Sequence, residues 1–392
     1  MRDAGAGAPA GDGRPAIPAA RFADRIARAQ AGARACGLDA LLVGVGPDLV
    51  YLTGYGAMPL ERLTMLAVPA EGPVTLVVPR LEATPARKCP AAAGGHVAIA
   101  TWEEIEDPVA LVRHLLPRVV GRLGASDRLW ALHLLRFQAA IPAAIFEPAS
   151  LVLRDLRIVK DADEIALLRL AAQAADTVIH EVAHGRLVGR TEADVAREVR
   201  DRLIAAGHDS AEFAIVGSGP NSASPHHEAS DRVIRPGEPI VLDIGGPLGG
   251  YGSDITRTIW VTGGDAAHGP DDEFLRLYAV LRAAQAEATH AVRPGVACER
   301  IDLVAREIIS AAGHGAHFIH RTGHGIGLEG HEDPYLVAGN AEVLNPGMAF
   351  SVEPGIYLEG RYGARIEDIV VCGEDGPIVL NEAPRDLLVV TG

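Results

Sequence analysis

The chain has 392 residues, of which 48% are hydrophobic and 22% are charged, and this length and composition favour two or more globular domains. Its formal net charge of -15, from 51 acidic and 36 basic residues, is the opposite of the basic footprint that nucleic-acid-binding proteins carry. No apolar run reaches the ~18 residues that a membrane span requires. We therefore expect no nucleic-acid partner, no membrane partner and a cytoplasmic location.

The opening segment is rich in glycine, alanine and proline and predicts a disordered tail over residues 1–18. It lacks the apolar core of a signal peptide. The four cysteines are scattered, without a CxxC pair, which predicts reduced thiols rather than disulfides or a thiolate zinc site. Both observations favour the cytoplasmic location.

Residues 19–153 alternate helical segments with short apolar strands and predict an N-terminal α/β domain. A helix is predicted over Asp107–Leu116, ahead of Pro117. Four buried strands are predicted at Leu41–Val45, Thr64–Val68, Val74–Val78 and Val97–Thr101. We expect no catalytic site in this domain.

A second domain is predicted over residues 154–392. Near its start, Asp161 lies three residues ahead of Glu164, a capping-box pattern that predicts a helix over residues 162–184. A second helix is predicted to start at Thr191.

A weak internal repeat marks this second domain. The helix after Thr191 carries the letters VARE and ends in AAGH, and a later helix carries VARE and ends in AAGH at His314. A long helix precedes each of them, over residues 162–184 and about 271–292. We expect the two shorter helices to differ in length by three residues. The likeness is either chance between alanine-rich helices or a duplicated helix–helix–strand unit, whose shared face would suit a site.

Two acidic residues interrupt apolar strands in the middle of this domain. Asp243 lies within the predicted strand Pro239–Gly245, and Asp254 lies at the start of the next, Ser253–Trp260. The glycine-rich connection over residues 246–252 predicts a hairpin with a loop longer than two residues. Such a hairpin can bring both carboxylates onto one face.

The last third of the chain adds a histidine and two more carboxylates. His324 lies between glycines, and Glu353 ends an apolar strand. A strand predicted over residues 365–371 puts Arg365 and Glu367 on one face. Carboxylates within apolar strands are costly unless a charge or a metal compensates them.

Four converging carboxylates would carry a charge of about -4, which two divalent cations would cancel. Oxygen donors with one imidazole favour Mn²⁺, Co²⁺ or Fe²⁺, and Zn²⁺ also fits such sites. Each acid alone has another interpretation: Asp243 could be a hairpin residue, Glu353 a strand-end charge, and Glu367 the partner of Arg365.

With these residues the sequence resembles the metallopeptidase family with the pita-bread fold, which includes methionine aminopeptidase, aminopeptidase P and prolidase. The Asp, Asp, His, Glu, Glu series lies in order within residues 160–392. Asp48–Gly54 resembles the N-terminal domain of the aminopeptidase P, prolidase and creatinase branch. The resemblance covers nearly the whole chain. It implies an α/β (α+β) fold, with a creatinase-like domain over residues 19–153 and a pita-bread catalytic domain over residues 154–392, whose duplicated helix–helix–strand halves surround a curved antiparallel sheet.

The resemblance also implies roles. The implied ligands of two metal ions are Asp243, Asp254, His324, Glu353 and Glu367. Of these, Asp254 and Glu367 would bridge the ions, while Glu353 would also take the proton of the attacking water and return it to the leaving amine. The histidines implied to act on substrate are His226 and His331. Arg365 matches the arginine beside the last metal ligand, and it is predicted to be catalytic together with His226, His331 and Glu353.

Neighbouring polar residues are expected to have lesser roles. Glycines separate His314 from His324 and argue against a helix of histidine ligands, so only His324 is predicted as a ligand. His227 is expected to be a neighbour of the substrate histidine rather than a catalyst. Thr256 is expected to support Asp254 through its hydroxyl.

The leading hypothesis is hydrolysis of Xaa-Pro peptide bonds, as an aminopeptidase or a dipeptidase, by a hydroxide that bridges two metal ions. Many microbial prolidases of the family carry an arginine four positions after the equivalent of His331, where it can hold a dipeptide's carboxylate. Tyr335 stands there instead, which argues against strict dipeptidase activity unless another cation substitutes. A creatinase-like or ectoine-hydrolase-like amidase and a non-catalytic binding module are the alternatives. The family often forms dimers, so a homodimer is expected.

Overall fold

A computed structural model describes residues 15–392, which fall into two compact units divided between Arg157 and Ile158. Residues 1–14, most of the predicted tail, lie outside the described residues. None of the helices in the described part of the chain combines the length and the apolar character that crossing a membrane would require.

The first unit is built on a six-stranded sheet. Its strands are β1 Ala40–Gly44, β2 Met65–Pro69, β3 Thr75–Pro79, β4 Ala98–Trp102, β5 Arg122–Ala125 and β6 Ile145–Pro148. Its helices are α1 Ala19–Ala35, α2 Pro47–Thr53, α3 Ala83–Lys88, α4 Pro90–Ala93, α5 Pro108–Leu115, α6 Ala131–Ala140 and α7 Ser150–Arg157. The sheet order is β4-β3-β2-β1-β5-β6, with β1–β2 and β2–β3 antiparallel and the other pairs parallel.

The four predicted strands of this unit are β1 to β4, each displaced by one residue. The predicted burial of the fourth is wrong, because β4 is an edge strand and only its last residue, Trp102, is buried. Strands β1, β2 and β3 are buried along their whole length, as apolar runs in a covered sheet should be. The predicted helix is α5, and the Asp107 carboxylate caps it by accepting a hydrogen bond from the Val109 amide.

The second unit contains four long helices: α8 Ala162–Ala183, α9 Glu192–Ala205, α10 Asp272–His290 and α11 Cys298–Ala311. The capping box at the start of α8 is confirmed. The Asp161 side chain accepts from the backbone amide of Glu164, and the Glu164 side chain accepts from that of Asp161.

The expected length difference between the two shorter helices is wrong, because α9 and α11 both contain 14 residues. Their buried residues occupy the same places, the first, fourth, fifth, eighth and twelfth of each helix. The repeat is therefore in register at the helix ends, where both segments read AAGH, and not at the two VARE segments. A shared burial pattern supports duplication over chance.

The strands of the second unit form two larger sheets and a hairpin. Its strands are β7 Phe213–Ser218, β8 Glu238–Leu248, β9 Tyr251–Val261, β10 Gly323–Gly325, β11 Glu332–Leu336, β12 Ala349–Val352, β13 Gly355–Leu358, β14 Tyr362–Arg365, β15 Asp368–Cys372, β16 Pro377–Val379 and β17 Leu388–Val390. The sheet orders are β17-β9-β8-β7 and β11-β10-β12-β15-β16, with β13–β14 as the hairpin. Only β9 and β17 pair in parallel among the described strands of this unit.

The predicted long loop between β8 and β9 is wrong. The strands continue to Leu248 and from Tyr251, so the turn contains only Gly249 and Gly250, both with positive φ (61° and 84°). A two-residue turn of this kind needs positive φ at both positions, which glycine adopts without strain. Glycines that suggested a loop lie inside the strands, where a Cβ on Gly245 would be only 2.2 Å from the Ser253 carbonyl oxygen.

Candidate metal centre

The β8–β9 hairpin presents two carboxylates on one face. Asp243 pairs with Thr256 across the hairpin, and Gly245 pairs with Asp254, so Asp243, Asp254 and Thr256 share a face. The opposite face carries apolar residues such as Ile244 that pack in the core with α8 and α9. Burial of that apolar face fixes the register, because a slip of one residue would turn the carboxylates into the core.

The second half of the unit brings three further groups to this face. His324 lies in β10, Glu353 follows β12 directly, and Glu367 lies between β14 and β15. Ligand atoms of Asp254, His324 and Glu367 all lie within 4.8 Å of one another. The Nε2 atom of His324 is 3.3 Å from Glu353 Oε1 and 3.6 Å from Asp254 Oδ2.

Glu367 does not lie within a continuous strand, contrary to the strand predicted over residues 365–371. The chain leaves its pairing with β13 at Arg365 and begins pairing with β12 at Asp368. The Glu367 amide instead donates to the Thr256 carbonyl, 3.1 Å away on β9. This bond links the segment to the hairpin and directs the Glu367 side chain toward Asp254.

Asp243 borders the cluster on the side of Arg365. A guanidinium nitrogen of Arg365 lies 2.5 Å from Asp243 Oδ2, and both side chains are buried. The other oxygen, Oδ1, is buried without a hydrogen-bond partner among the described residues. Buried polar atoms without a partner are rare, and a carboxylate oxygen of this kind suits a cation.

Thr256 supports a different acid from the one expected. Its hydroxyl donates to Glu367 Oε2 at 2.6 Å, and not to Asp254 as predicted, because β9 turns it toward the β14–β15 junction. The same hydroxyl oxygen accepts from Arg365 Nε at 3.0 Å. Arg365 also donates to the Tyr357 hydroxyl at 2.8 Å. Thus Arg365 pairs with Asp243, and the interpretation of Glu367 as its ion-pair partner is wrong.

The clustered acids hold their protons strongly in the metal-free protein. Burial raises the pKa of Asp254 and of Glu367 well above its usual value, and the neighbouring carboxylates raise it further. Burial and Asp243 raise the pKa of Glu353 to about 7, against the opposing charge of Arg365. Burial and mutual repulsion together therefore mean that cations are needed to keep Asp254, Glu353 and Glu367 ionised.

The His324 ring is held in its neutral form. Burial, and then the neighbouring His331, lower the pKa of His324 to about 3. Its Nδ1 lies 3.1 Å from the Gly325 carbonyl, which only accepts, so Nδ1 carries the proton. Nε2 is then left with a lone pair that faces the carboxylates. Second-sphere bonds of this kind fix metal-binding histidines.

The residues predicted to act on substrate lie at the edge of the cluster. The His331 ring is exposed and meets the His324 ring edge-on, with centroids 4.0 Å apart. His226 is also exposed, in a turn whose Pro225 carbonyl accepts two bonds from Arg365 at 3.3 Å. His227 faces away from the centre and donates to Glu192 at 2.7 Å, as a neighbour would.

The sequence did not single out three residues that contact the predicted site residues or their neighbours. Tyr357 contacts Arg365, Glu192 holds the turn of His226, and the Arg321 guanidinium lies 4.5 Å from the centre of the Tyr335 ring. The only signal for Arg321 is its position three residues before His324.

Comparison with known proteins gives a consistent result. A family model described as metallopeptidase family M24 matches residues 166–374, and one described as creatinase/prolidase N-terminal domain matches residues 25–159. The chain is 45% identical over 370 residues to a probable dipeptidase, PepE, of Mycobacterium tuberculosis, covering 94% of this chain and 96% of that protein.

Two further relatives are named for proline-containing substrates. An Xaa-Pro dipeptidase of Lactobacillus helveticus is 34% identical over 353 residues, covering 87% of this chain and 92% of that protein. The crystal structure of a prolidase from Thermococcus sibiricus superposes with a TM-score of 0.86 at 35% identity, covering 94% of this chain and 99% of that one.

Proposed function

Since the chain belongs to metallopeptidase family M24 and is a hydrolase of that family, we propose that it cleaves the bond before proline in Xaa-Pro dipeptides. The observation that carries the proposal is the convergence of Asp254, His324 and Glu367 within 4.8 Å, beside the buried Asp243 and the partly buried Glu353. Family membership implies divalent metal ions, and the donor set fits them. Mn²⁺ or Co²⁺ is our expectation for their identity.

The residues that would hold two cations are Asp243, Asp254, His324, Glu353 and Glu367. The partnerless Oδ1 of Asp243, the lone pair of His324 and the mutual repulsion of the acids all support this assignment. When bound, the cations supply a water of lowered pKa and polarise the scissile carbonyl. Arg365 keeps one Asp243 oxygen fixed while the other remains free to bind.

Glu353 is our candidate for proton transfer. Its side chain is 15% exposed, against 7% for Asp254, so it can reach both the site and bulk water. The nitrogen of an Xaa-Pro bond carries no hydrogen, and it must gain a proton as the bond breaks. Glu353 can hold the proton of the attacking water at a carboxylate oxygen and deliver it to that nitrogen. The exposed rings of His226 and His331 would donate to the carbonyl oxygen as negative charge develops.

Arg321 supports the choice of dipeptides over longer peptides. Its guanidinium stacks on the ring of Tyr335, the residue that stands where many prolidases carry arginine. After burial, the charge of Arg321 is among the causes that lower the pKa of His331, which indicates that the guanidinium lies close to the site. No ion pair with a carboxylate occupies it among the described residues. It is therefore available to bind the C-terminal carboxylate of a dipeptide.

Metal analysis and peptide assays test the function. Purified protein with added Mn²⁺ should bind about two metal ions per chain and hydrolyse Ala-Pro faster than Ala-Pro-Ala. Absence of bound metal would favour a binding module, and cleavage of neither peptide, with metal bound, would favour an amidase for another C–N substrate.

The Arg321→Gln variant tests the carboxylate site. A hydrogen-bonded ion pair contributes roughly 1.5–3 kcal/mol, so kcat/KM for Ala-Pro should fall about tenfold to a hundredfold. The rate for Ala-Pro-Ala should change little, and Arg321→Lys serves as the matched control that retains charge. An equal loss on both peptides would refute the assignment of Arg321.

A further inference from the structure

A buried carboxylate outside the metal cluster organises the segment that carries His226. Glu192 is the first residue of α9, and its side chain is fully buried. Its Oε1 atom accepts from the Ser218 amide and hydroxyl, both at 2.8 Å, and its Oε2 atom accepts from the Ser230 hydroxyl at 2.7 Å and the Ser230 amide at 3.2 Å. The Asn221 amide nitrogen lies 3.1 Å from both oxygens, and His227 Nε2 is 2.7 Å from Oε2. All these donors lie within residues 218–230.

Glu192 is held as an anion. Burial alone would raise the pKa of its carboxyl, but the hydrogen bonds from His227, Ser230 and Ser218 outweigh burial and lower that pKa. The first turn of a helix also favours a negative charge. Because a carboxylate only accepts, His227 must carry its proton on Nε2.

His226 lies between two anchored neighbours. Residues 224–227 form a turn in which the His227 amide donates to the Ser224 carbonyl at 3.2 Å. On one side, the Pro225 carbonyl accepts from Arg365, the residue that also holds Asp243. On the other side, the His227 ring binds Glu192. The backbone of His226 is thus held between one anchor at Arg365, beside the metal cluster, and another at α9.

We propose that Glu192 is a positioning residue, which holds His226 toward the substrate through its bonds to His227 and Ser230. The proposal rests on the role assigned to His226 in the proposed function. It explains why Glu192 and the polar groups that bind it are buried at a place outside the metal cluster. It also explains why Glu192 must be a carboxylate, because both of its oxygens face donors and an amide nitrogen in either place would oppose them.

Hydrogen exchange tests the anchoring without any assay of activity. In Glu192→Gln, amides within residues 219–230 should exchange at least tenfold faster than in the unmodified metal-loaded protein, with little change in α8 and α10. Asp176→Asn is the matched control, because Asp176 is also a buried carboxylate but binds Asn381 and the Glu382 amide instead. Unchanged exchange of residues 219–230 in Glu192→Gln would overturn the proposal.

A double-mutant cycle tests the effect on catalysis. Glu192→Gln should lower kcat/KM for Ala-Pro at least tenfold, but in a His226→Ala background it should lower kcat/KM by less than about twofold. Asp176→Asn should have the same small effect in both backgrounds. Equal losses from Glu192→Gln in both backgrounds would show a general structural role and refute the proposal. If Glu192→Gln does not fold, His227→Leu, which removes the hydrogen bond from the His227 ring to Glu192, is expected to show the same coupling with a smaller loss.

The failure of the proposed function is distinguishable from failure of this inference. Full activity of His226→Ala would remove the role of His226, and this inference with it, while leaving the metal assignment intact. Inactivity of the unmodified protein on Xaa-Pro peptides would refute the proposed substrate, and the exchange measurement would still decide whether Glu192 holds the segment.

Discussion

Removing the metal ions should reverse the usual pH dependence of stability around the acid cluster. In the metal-free protein the pKa of Glu353 is about 7, against 4.5 for an ordinary glutamate. Below pH 4.5 the carboxyl is protonated in both the folded and the unfolded chain. Between pH 4.5 and 7 only the folded chain keeps the proton, so stability falls as pH rises. At 1.36 kcal/mol for each pKa unit, the loss is ~3 kcal/mol.

The Glu353→Gln variant isolates this contribution, because glutamine resembles the protonated acid and does not titrate. Without metal, it should match the unmodified protein near pH 4.5 and exceed it by up to ~3 kcal/mol near pH 7.5. Acids with a lowered pKa, such as Glu192, make the folded protein more stable as pH rises. Both proteins contain these acids, so their contribution cancels in the difference between the two free energies of unfolding.

Amide exchange of β8, β9 and β12 after chelation is the assay, since it reports on the second unit of a two-unit chain. Saturating Mn²⁺ should erase the advantage of the variant, because cations bind the ionised acids more tightly as pH rises. A metal-free Glu353→Gln protein that is less stable than the unmodified protein at pH 7.5 would refute the reasoning.

Three other substitutions have defined outcomes. Asp254→Ala should reduce bound metal below two ions per chain and kcat at least a hundredfold, measured by metal analysis and Ala-Pro hydrolysis, without change in the far-ultraviolet circular dichroism. Thr256→Val leaves buried atoms of Glu367 and Arg365 without a partner and should cost ~1–3 kcal/mol in urea unfolding, whereas Thr256→Ser should cost much less. Gly250→Ala should cost ~1–2 kcal/mol because φ is 84°, and Gly250→Asn should cost less.

The sequence predicted the convergence of the acidic side chains better than it predicted the backbone around them. Carboxylates inside apolar strands are costly, so Asp243 and Asp254 could be identified without knowing where the chain folds. The position of the hairpin turn was predicted wrongly because glycine occurs both in turns and inside strands that are closely packed. Gly249 and Gly250 form the turn, while Gly245 lies in the strand because a neighbouring strand approaches too closely for a side chain.

Residues that act through distant partners left no local signal. In the sequence Glu192 is one of the acidic residues in the first turn of a helix. Its role is not visible there, because its hydrogen-bond donors come from residues 218–230. In the sequence Tyr357 is indistinguishable from an ordinary strand residue. Only the structure shows that its hydroxyl accepts a hydrogen bond from Arg365. Thr256 was assigned to Asp254, two residues away in sequence, although its hydroxyl donates to Glu367 at the junction of β14 and β15. Spacing along a strand shows which side chains point to the same side of the sheet, but it does not identify the residues that pack against that side.

The centre draws on both repeats, because the β8–β9 hairpin supplies Asp243 and Asp254, while the later strands supply His324, Glu353 and Glu367. During synthesis the first two proposed ligands therefore emerge from the ribosome long before the last. A partly made chain can gather only an incomplete set of donors, and proteolytic activity should arise only when the final strands have docked. For the proposed peptidase, this order of synthesis would delay hydrolysis of peptides until the second unit has folded.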